Sequence, residues 1–284
     1  MIQPQRHKVH KGFFATKCWL PLQSGVMESR PITLLTGAGS GIGRGFALAM
    51  AQLGNRVIIT DIDQSSAESV AAEVIVAGGL AQARQFDVTD GEAARGLVQG
   101  LVDRYGRIDH LFANAGVLGP TDFWEIRPED WAAVLGVNIS GAAIICQLVA
   151  AQMKKQRRGR IILTASYNGV RVDKHVIPYR VSKAGLLMFT KCLALVMAPY
   201  DVTVNAICPG VTLTPLQQAY AQALADQRGI SLDDYLDERR SVIPMGELTT
   251  TADLNALARF LVSDEARLIT GQSIAVDGGV MASS

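Results

Sequence analysis

The chain has 284 residues, of which 49% are hydrophobic and 19% charged, so it can bury a large core and is no disordered polyampholyte. A net charge of +1 gives no field for a polyanion, and no nucleic-acid partner is expected. The four cysteines, Cys18, Cys146, Cys192 and Cys208, have no paired or metal-ligand spacing, which fits free thiols in a reducing, cytoplasmic setting and no metal.

Residues 1–30 read differently from the rest. Arg6, His7, Lys8, His10, Lys11 and Lys17 all precede the first acid, Glu28. The apolar run 18–22 is too short for a signal core or a membrane span. The stretch is therefore expected to be a flexible N-terminal extension, removable up to about Met27, with one catalytic domain over residues 31–284.

From Ile32 the chain alternates strand and helix. Strands are expected at 32–36, 56–61, 81–86, 108–113, 160–165, 202–207 and 273–276. Helices are expected at 41–53, 65–77, 92–105 and 128–153, and from Pro178 onward. Apolar strands alternating with helices predict an α/β fold of the Rossmann type: a doubly wound parallel sheet, helices on both faces, in a single domain.

The first strand runs into Thr36-Gly-Ala-Gly-Ser-Gly-Ile-Gly43. Glycines there let the backbone approach a pyrophosphate at the next helix N-terminus. Asp61 ends the second strand, where a carboxylate can accept from a ribose diol; Asp63 suits a helix cap. Asp87-Val88 and Asn114-Ala115-Gly116 close the third and fourth strands, at the edge where open α/β sheets hold ligands. Asn138 lies inside an apolar helix and needs buried partners.

Ser166 ends the fifth strand, and Tyr179 and Lys183 stand four apart on the following helix, on one face. A free phenol titrates near 10, and a neighbouring ammonium lowers that value, so the trio suits proton transfer. Residues 212–246 form a long connection expected to act as a mobile lid over the substrate. Leu213, Leu216, Tyr220 and Met245 are expected to face the pocket, and Asp233, Asp234, Asp237, Arg239 and Arg240 to form a solvated face.

This ordered set resembles the short-chain dehydrogenase/reductase family over residues 31–279. The resemblance rests on TGAGSGIG, Asp87-Val88, Asn114-Ala-Gly, Asn205-Ala-Ile-Cys-Pro-Gly210, Ile269-Thr-Gly-Gln272 and Val276-Asp-Gly-Gly279. It implies a catalytic tetrad of Asn138, Ser166, Tyr179 and Lys183. Tyr179 would exchange the alcohol proton, Ser166 hold the substrate oxygen, Lys183 lower the Tyr179 pKa and bind the ribose, and Asn138 hold a water for a proton relay. Cofactor contacts are implied for Gly37, Ser40, Gly41, Ile42, Gly43, Asp61, Ile62, Asp87, Val88, Asn114, Ala115, Gly116, Tyr179, Lys183, Pro209, Gly210, Val211 and Thr214. Asp61 repels a 2′-phosphate, so the expected cofactor is NAD.

The expected reaction moves a hydride between NAD(H) and a small secondary alcohol or polyol, or its ketone. An NADPH-dependent 3-oxoacyl thioester ketoreductase is the runner-up, and a non-catalytic nucleotide-binding regulator the remote alternative. The apolar helices around Trp131–Met153 and 184–198 interrupt themselves with Asn138, Ser140 and Gln147, or with Thr190 and Lys191. They are expected to pair with copies of themselves in a homotetramer rather than to enter a membrane.

Overall fold

The computed structural model describes residues 30–283; the extension expected at residues 1–30 lies, apart from Arg30, outside the described residues. The strands are β1 (Ile32–Thr36), β2 (Arg56–Asp61), β3 (Leu80–Gln85), β4 (His110–Ala113), β5 (Gly159–Thr164), β6 (Val202–Pro209) and β7 (Ser273–Val276). They form one sheet in the order β3-β2-β1-β4-β5-β6-β7, every pair parallel. Every residue of β1, β5 and β6 is buried, as strands covered on both faces must be. The order reverses between β1 and β4, which opens a crevice at their carboxyl ends.

The helices are α1 (Gly41–Gln52), α2 (Gln64–Val76), α3 (Gly91–Tyr105), α4 (Pro128–Leu135), α5 (Ala142–Gln156), α6 (Ile177–Met197), α7 (Pro215–Arg228), α8 (Leu232–Ser241) and α9 (Thr251–Val262). Two cores sandwich the sheet. Phe46, Met50, Val70, Val74, Leu254 and Leu261 of α1, α2 and α9 pack on one face with Leu35, Ile59 and Ile207. Val98, Leu101, Ile145, Val149, Leu186 and Met197 of α3, α5 and α6 pack on the other with Leu34, Leu111, Ile161 and Val204. Asp63 caps α2 by accepting from the Ser65 amide at 3.0 Å.

The expected single helix at 128–153 is two, separated by a π-turn over Gly136–Gly141. The reason is tertiary: the wider turn places Asn138 where its amide can reach the loop after β4, and Gly141 passes close to the chain at Val88, whose carbonyl oxygen a Cβ would meet at 2.9 Å. The rods Pro128–Gln156 and Ile177–Tyr200 are each long and apolar enough to span a bilayer, yet each lays one face on the sheet. On α6 the opposite face stays uncovered, with Val181, Met188, Cys192 and Leu195 exposed at helical spacing.

Candidate active site

β1 runs directly into the glycine turn. A Cβ on Gly43 would lie 2.3 Å from the Gly37 carbonyl oxygen, and one on Gly37 2.6 Å from Ala115 Cα. The N-cap of α1, Ser40, makes no side-chain cap bond, so the first amides of α1 remain donors for an anion. Thr214 caps α7 by accepting from the Gln217 amide at 3.2 Å, and a Cβ on Gly41 would lie 3.1 Å from it. Two helix N-termini thus meet at one cleft.

The cleft has a volume of about 380 Å³. Its wall runs from Gly37, Ser40, Gly41, Ile42, Asp61 and Ile62, through Asp87, Val88, Asn114, Ala115 and Gly116, to Tyr179, Lys183, Pro209, Gly210 and Thr214. Two expected contacts are absent from it. Gly43 lies under the turn, where its missing side chain makes room for the Gly37 carbonyl, and Val211 packs into an apolar cluster with Tyr167, Ile243 and Val280. Asn114 lines the cleft but spends its side chain inside the protein. Its Nδ2 donates to the Gly37 carbonyl at 2.8 Å and its Oδ1 accepts from Thr164 Oγ1 at 3.0 Å, so it ties the ends of β1, β4 and β5 together.

Asp61 accepts from the Gly39 amide at 2.9 Å and the Asp63 amide at 3.1 Å. A Cβ on Gly39 would lie 2.9 Å from the Asp61 carboxylate, so no longer side chain fits beside it. Arg44, the nearest basic residue in the turn, is held by Glu73 through Nε at 2.8 Å. Among the described residues lining the cleft, Lys183 is the only cation. A glycine cradle, two helix N-termini and a carboxylate at the end of β2 fit a dinucleotide with free ribose hydroxyls.

At the other end stand Tyr179 and Lys183; Ser166, two residues past β5, is buried and outside the cleft wall. Pro178 opens α6, and Val176, its N-cap, is buried in the left-handed region at φ +48°. Lys183 is 3% exposed and donates to the Thr164 carbonyl at 2.7 Å, with its Nζ 5.4 Å from the centre of the Tyr179 ring. The Ser166 hydroxyl accepts from the Asn168 amide at 3.1 Å. Asn138 is fully buried below the cleft. Its Nδ2 donates to the Val117 carbonyl and to Ser182 Oγ, both at 2.9 Å, and its Oδ1 accepts from the Val117 amide at 2.8 Å. Gly116 keeps this corner open: a Cβ there would lie 3.3 Å from Asn138 Oδ1 and 3.5 Å from Lys183 Nζ.

The electrostatics differ from the expectation that Lys183 depresses the Tyr179 pKa. Burial pushes the phenol up to about 12, opposed by the Ser166 hydroxyl, and burial pushes the lysine down to about 8. Burial thus favours the neutral form of the Tyr179 phenol.

A family model described as Enoyl-(Acyl carrier protein) reductase matches residues 37–281. The chain is 34% identical over 254 residues to the granaticin polyketide synthase putative ketoacyl reductase 1 of Streptomyces violaceoruber, covering 89% of this chain and 93% of that one. It is 33% identical over 250 residues to a 3-oxoacyl-[acyl-carrier-protein] reductase of Thermotoga maritima, covering 88% and 97%. The chain belongs to the short-chain dehydrogenase/reductase family. Among solved structures, NAD+-bound xylitol dehydrogenase superposes with a TM-score of 0.83 at 31% identity, covering 88% of this chain and 98% of that one. An actinorhodin polyketide ketoreductase with NADPH gives 0.85 at 31%, covering 89% and 97%. This short-chain dehydrogenase/reductase is thus an oxidoreductase of a family that uses nicotinamide cofactors on small molecules.

Over the family's core, residues 212–246 form an excursion whose ends close on each other. Thr212 bridges to Thr249, and the Thr249 amide donates to the Val211 carbonyl at 3.0 Å. Between those ends α7 and α8 bury a small core of their own: Ala221, Leu224, Ala225, Tyr235 and Leu236. Leu216 lines the cleft as expected, but Met245 is 76% exposed. Arg239 is not part of a solvated face either: it is half-buried and donates to the Tyr167 hydroxyl at 3.1 Å. Sequence reading also missed Phe86, Val117, Leu118, Val137 and Gln217, which line the cleft. Val137 adjoins Asn138 and the others lie near a recognised turn or helix start, but none carries a motif of its own.

Proposed function

We propose that this chain interconverts a ketone and its secondary alcohol with NAD(H), and that the ketone is of the 3-oxoacyl kind. The observation that carries the cofactor half is Asp61, with no room for a side chain on Gly39 and with Arg44 held by Glu73. Support for the substrate half comes from the ketoacyl reductases among its relatives. A polyol substrate is the second reading, favoured by the likeness to NAD+-bound xylitol dehydrogenase. A purely regulatory role suits the chain poorly, since it would need neither the buried Ser166 and Lys183 nor the Tyr179 phenol at the cleft.

When bound, a reduced nicotinamide supplies the hydride for the carbonyl carbon. Ser166 donates to the substrate oxygen and holds it beside the phenol. Tyr179, kept neutral by burial, gives its proton to that oxygen as the alcohol forms. Lys183, anchored on the Thr164 carbonyl at the cleft wall, would hold the nicotinamide ribose. Asp61 would take the adenine-ribose hydroxyls, and the amides of the glycine turn would take the pyrophosphate.

The same reading places a homotetramer in the cytoplasm, in keeping with three free cysteines among the described residues and the uncovered apolar stripe on α6. The test is turnover with NADH and NADPH against 3-oxoacyl thioesters and a polyol panel, followed at the nicotinamide absorbance. Faster reduction of the thioesters with NADH is expected. A preference for polyols would reverse the substrate assignment, and a preference for NADPH the cofactor assignment.

A further inference from the structure

A second cavity, of about 220 Å³, opens at the opposite edge of the sheet from the cleft, at the amino ends of β1, β4 and β5. No residue lines both. Arginine dominates the second: Arg107, Arg158 and Arg160 line it beside Asp109, His110 and Val262. Arg160 and His110 are register partners on adjacent parallel strands, so their side chains share one face of the sheet.

The charges around this cavity do not balance. Arg107 is matched by Asp109, which it meets through Nε at 2.9 Å. Arg158 and Arg160 share a single carboxylate, Asp264: their Nη2 atoms donate to the same Oδ1 at 3.0 Å and 3.2 Å. Asp201, the other acid that acts on Arg160, forms no ion pair with it. Three guanidinium groups thus have two paired carboxylates between them. Arg160 is the least satisfied. It is 6% exposed, its Nη1 donates to the Gly159 carbonyl at 3.0 Å, and its Nε meets no acceptor among the described residues. A buried cation one acceptor short is costly. His110 adds another donor. Its Nδ1 lies 3.1 Å from Asn55 Nδ2, which can only donate, so Nδ1 accepts and the neutral ring carries its proton on Nε2. That N–H has no partner among the described residues. Burial keeps the ring neutral, with its pKa lowered to about 4.

We infer that this cavity binds a tetrahedral oxyanion of the phosphate or sulfate type, held by Arg160, Arg158 and His110. An anion there would balance the surplus guanidinium and give Arg160 Nε its missing acceptor. The donors come from three separate side chains, which suits an ion with four oxygens better than a flat carboxylate with two. The ligand can reach the site from solvent, because the side chains of Arg107 and Arg158 are 41% and 62% exposed. Val262 ends α9 and Asp264 follows it, so an occupied site would join β4 and β5 to that helix end. The effect falls on the stability of the fold, away from the chemistry of the cleft.

The test is thermal melting of the full chain in sodium chloride, phosphate, sulfate and acetate at matched ionic strength, with phosphate also titrated by calorimetry. A Kd for phosphate of about 1 mM or tighter is expected. At ten times that Kd, Tm should rise by about 3–6 °C over chloride and then saturate. Sulfate should follow phosphate, and acetate should fall well short. Phosphate and sulfate also stabilise proteins by exclusion from their surface, without saturation; two variants separate the effects. Arg160→Met should lose the saturable rise, and Arg158→Gln, at an exposed side chain, should weaken Kd by about tenfold. A rise that never saturates, or one that is the same in all three proteins, would overturn the inference by placing the anion at the general surface or at the glycine turn. Acetate acting as strongly as phosphate would overturn it as well. If Arg160→Met does not fold, an unchanged Kd in Arg158→Gln is enough to reject the site.

Discussion

Lys183→Met removes a cation the fold shelters at a cost. The lysine is 3% exposed, and burial lowers its pKa from 10.5 to about 8. At roughly 1.4 kcal/mol per pH unit, holding it charged at pH 7 costs on the order of 3 kcal/mol. Methionine fills similar space without a charge, but leaves the Thr164 carbonyl without its donor, which costs roughly 1–3 kcal/mol. The variant should therefore match or exceed the wild type in stability at pH 7, while its kcat falls by about a hundredfold or more. The pH dependence is sharper. The folded pKa lies below the unfolded one, so between about 8 and 10.5 the unfolded chain holds more protons and wild-type stability rises with pH. Below about 8 the penalty is constant. The variant lacks this slope, so from pH 8 to pH 9.5 the wild type should gain on it by roughly 2 kcal/mol, or about 4–8 °C in Tm. Paired thermal melts at pH 7, 8, 9 and 9.5 measure the difference directly. A Tm gap that stays constant across that range would show that burial does not set the state of Lys183, and would refute the account of the site given above.

Asp61→Ala should cut the NAD over NADP preference by between several-fold and about a thousandfold, the span of one charge repulsion at 4 Å in water or near a protein surface; kcat/KM for both cofactors checks it, and an unchanged ratio would remove Asp61 as the selector. Asn138→Ala deprives both the amide and the carbonyl of Val117 of their partners, and should cost roughly 2–5 kcal/mol by urea melts. Replacing Met188 and Leu195 on the uncovered α6 stripe with glutamate should break the assembly, read by light scattering; a wild type already monomeric at micromolar concentration would end that proposal.

The sheet was legible because its strands are short, continuous and apolar, a pattern that any register of the helices leaves intact. Tyr179 and Lys183 were legible because four residues on a helix is a geometric statement in itself. Asn138 was read as buried, but not as the occupant of a π-turn: propensity cannot report where a helix widens, since the widening comes from the tertiary partners Val117 and Ser182. Arg239 was misread for a different reason. Charge identity was allowed to outweigh the periodicity of Tyr235 and Leu236, which put it on the inner face. Gly43 and Val211 were assigned to the cofactor through the family resemblance; in the fold neither lines the cleft, and each packs beneath it.

Val176 carries a consequence for how this region tolerates change. A β-branched side chain at φ +48°, 2% exposed, holds a backbone shape that glycine would adopt freely. Val176→Gly would relieve a conformational cost of about 1–3 kcal/mol and forfeit apolar burial of similar size, about 1.5–3 kcal/mol. The two nearly cancel, so a melting screen would score the position as silent. What would change is the breadth of conformations open to the turn that launches Tyr179. A relaxed turn spreads the phenol over a wider range of positions, and a spread of even an ångström is enough to slow a proton transfer that depends on alignment. Tolerance to mutation in this loop is thus a poor guide to its importance: thermal stability and catalytic alignment draw on the same residue with opposite signs.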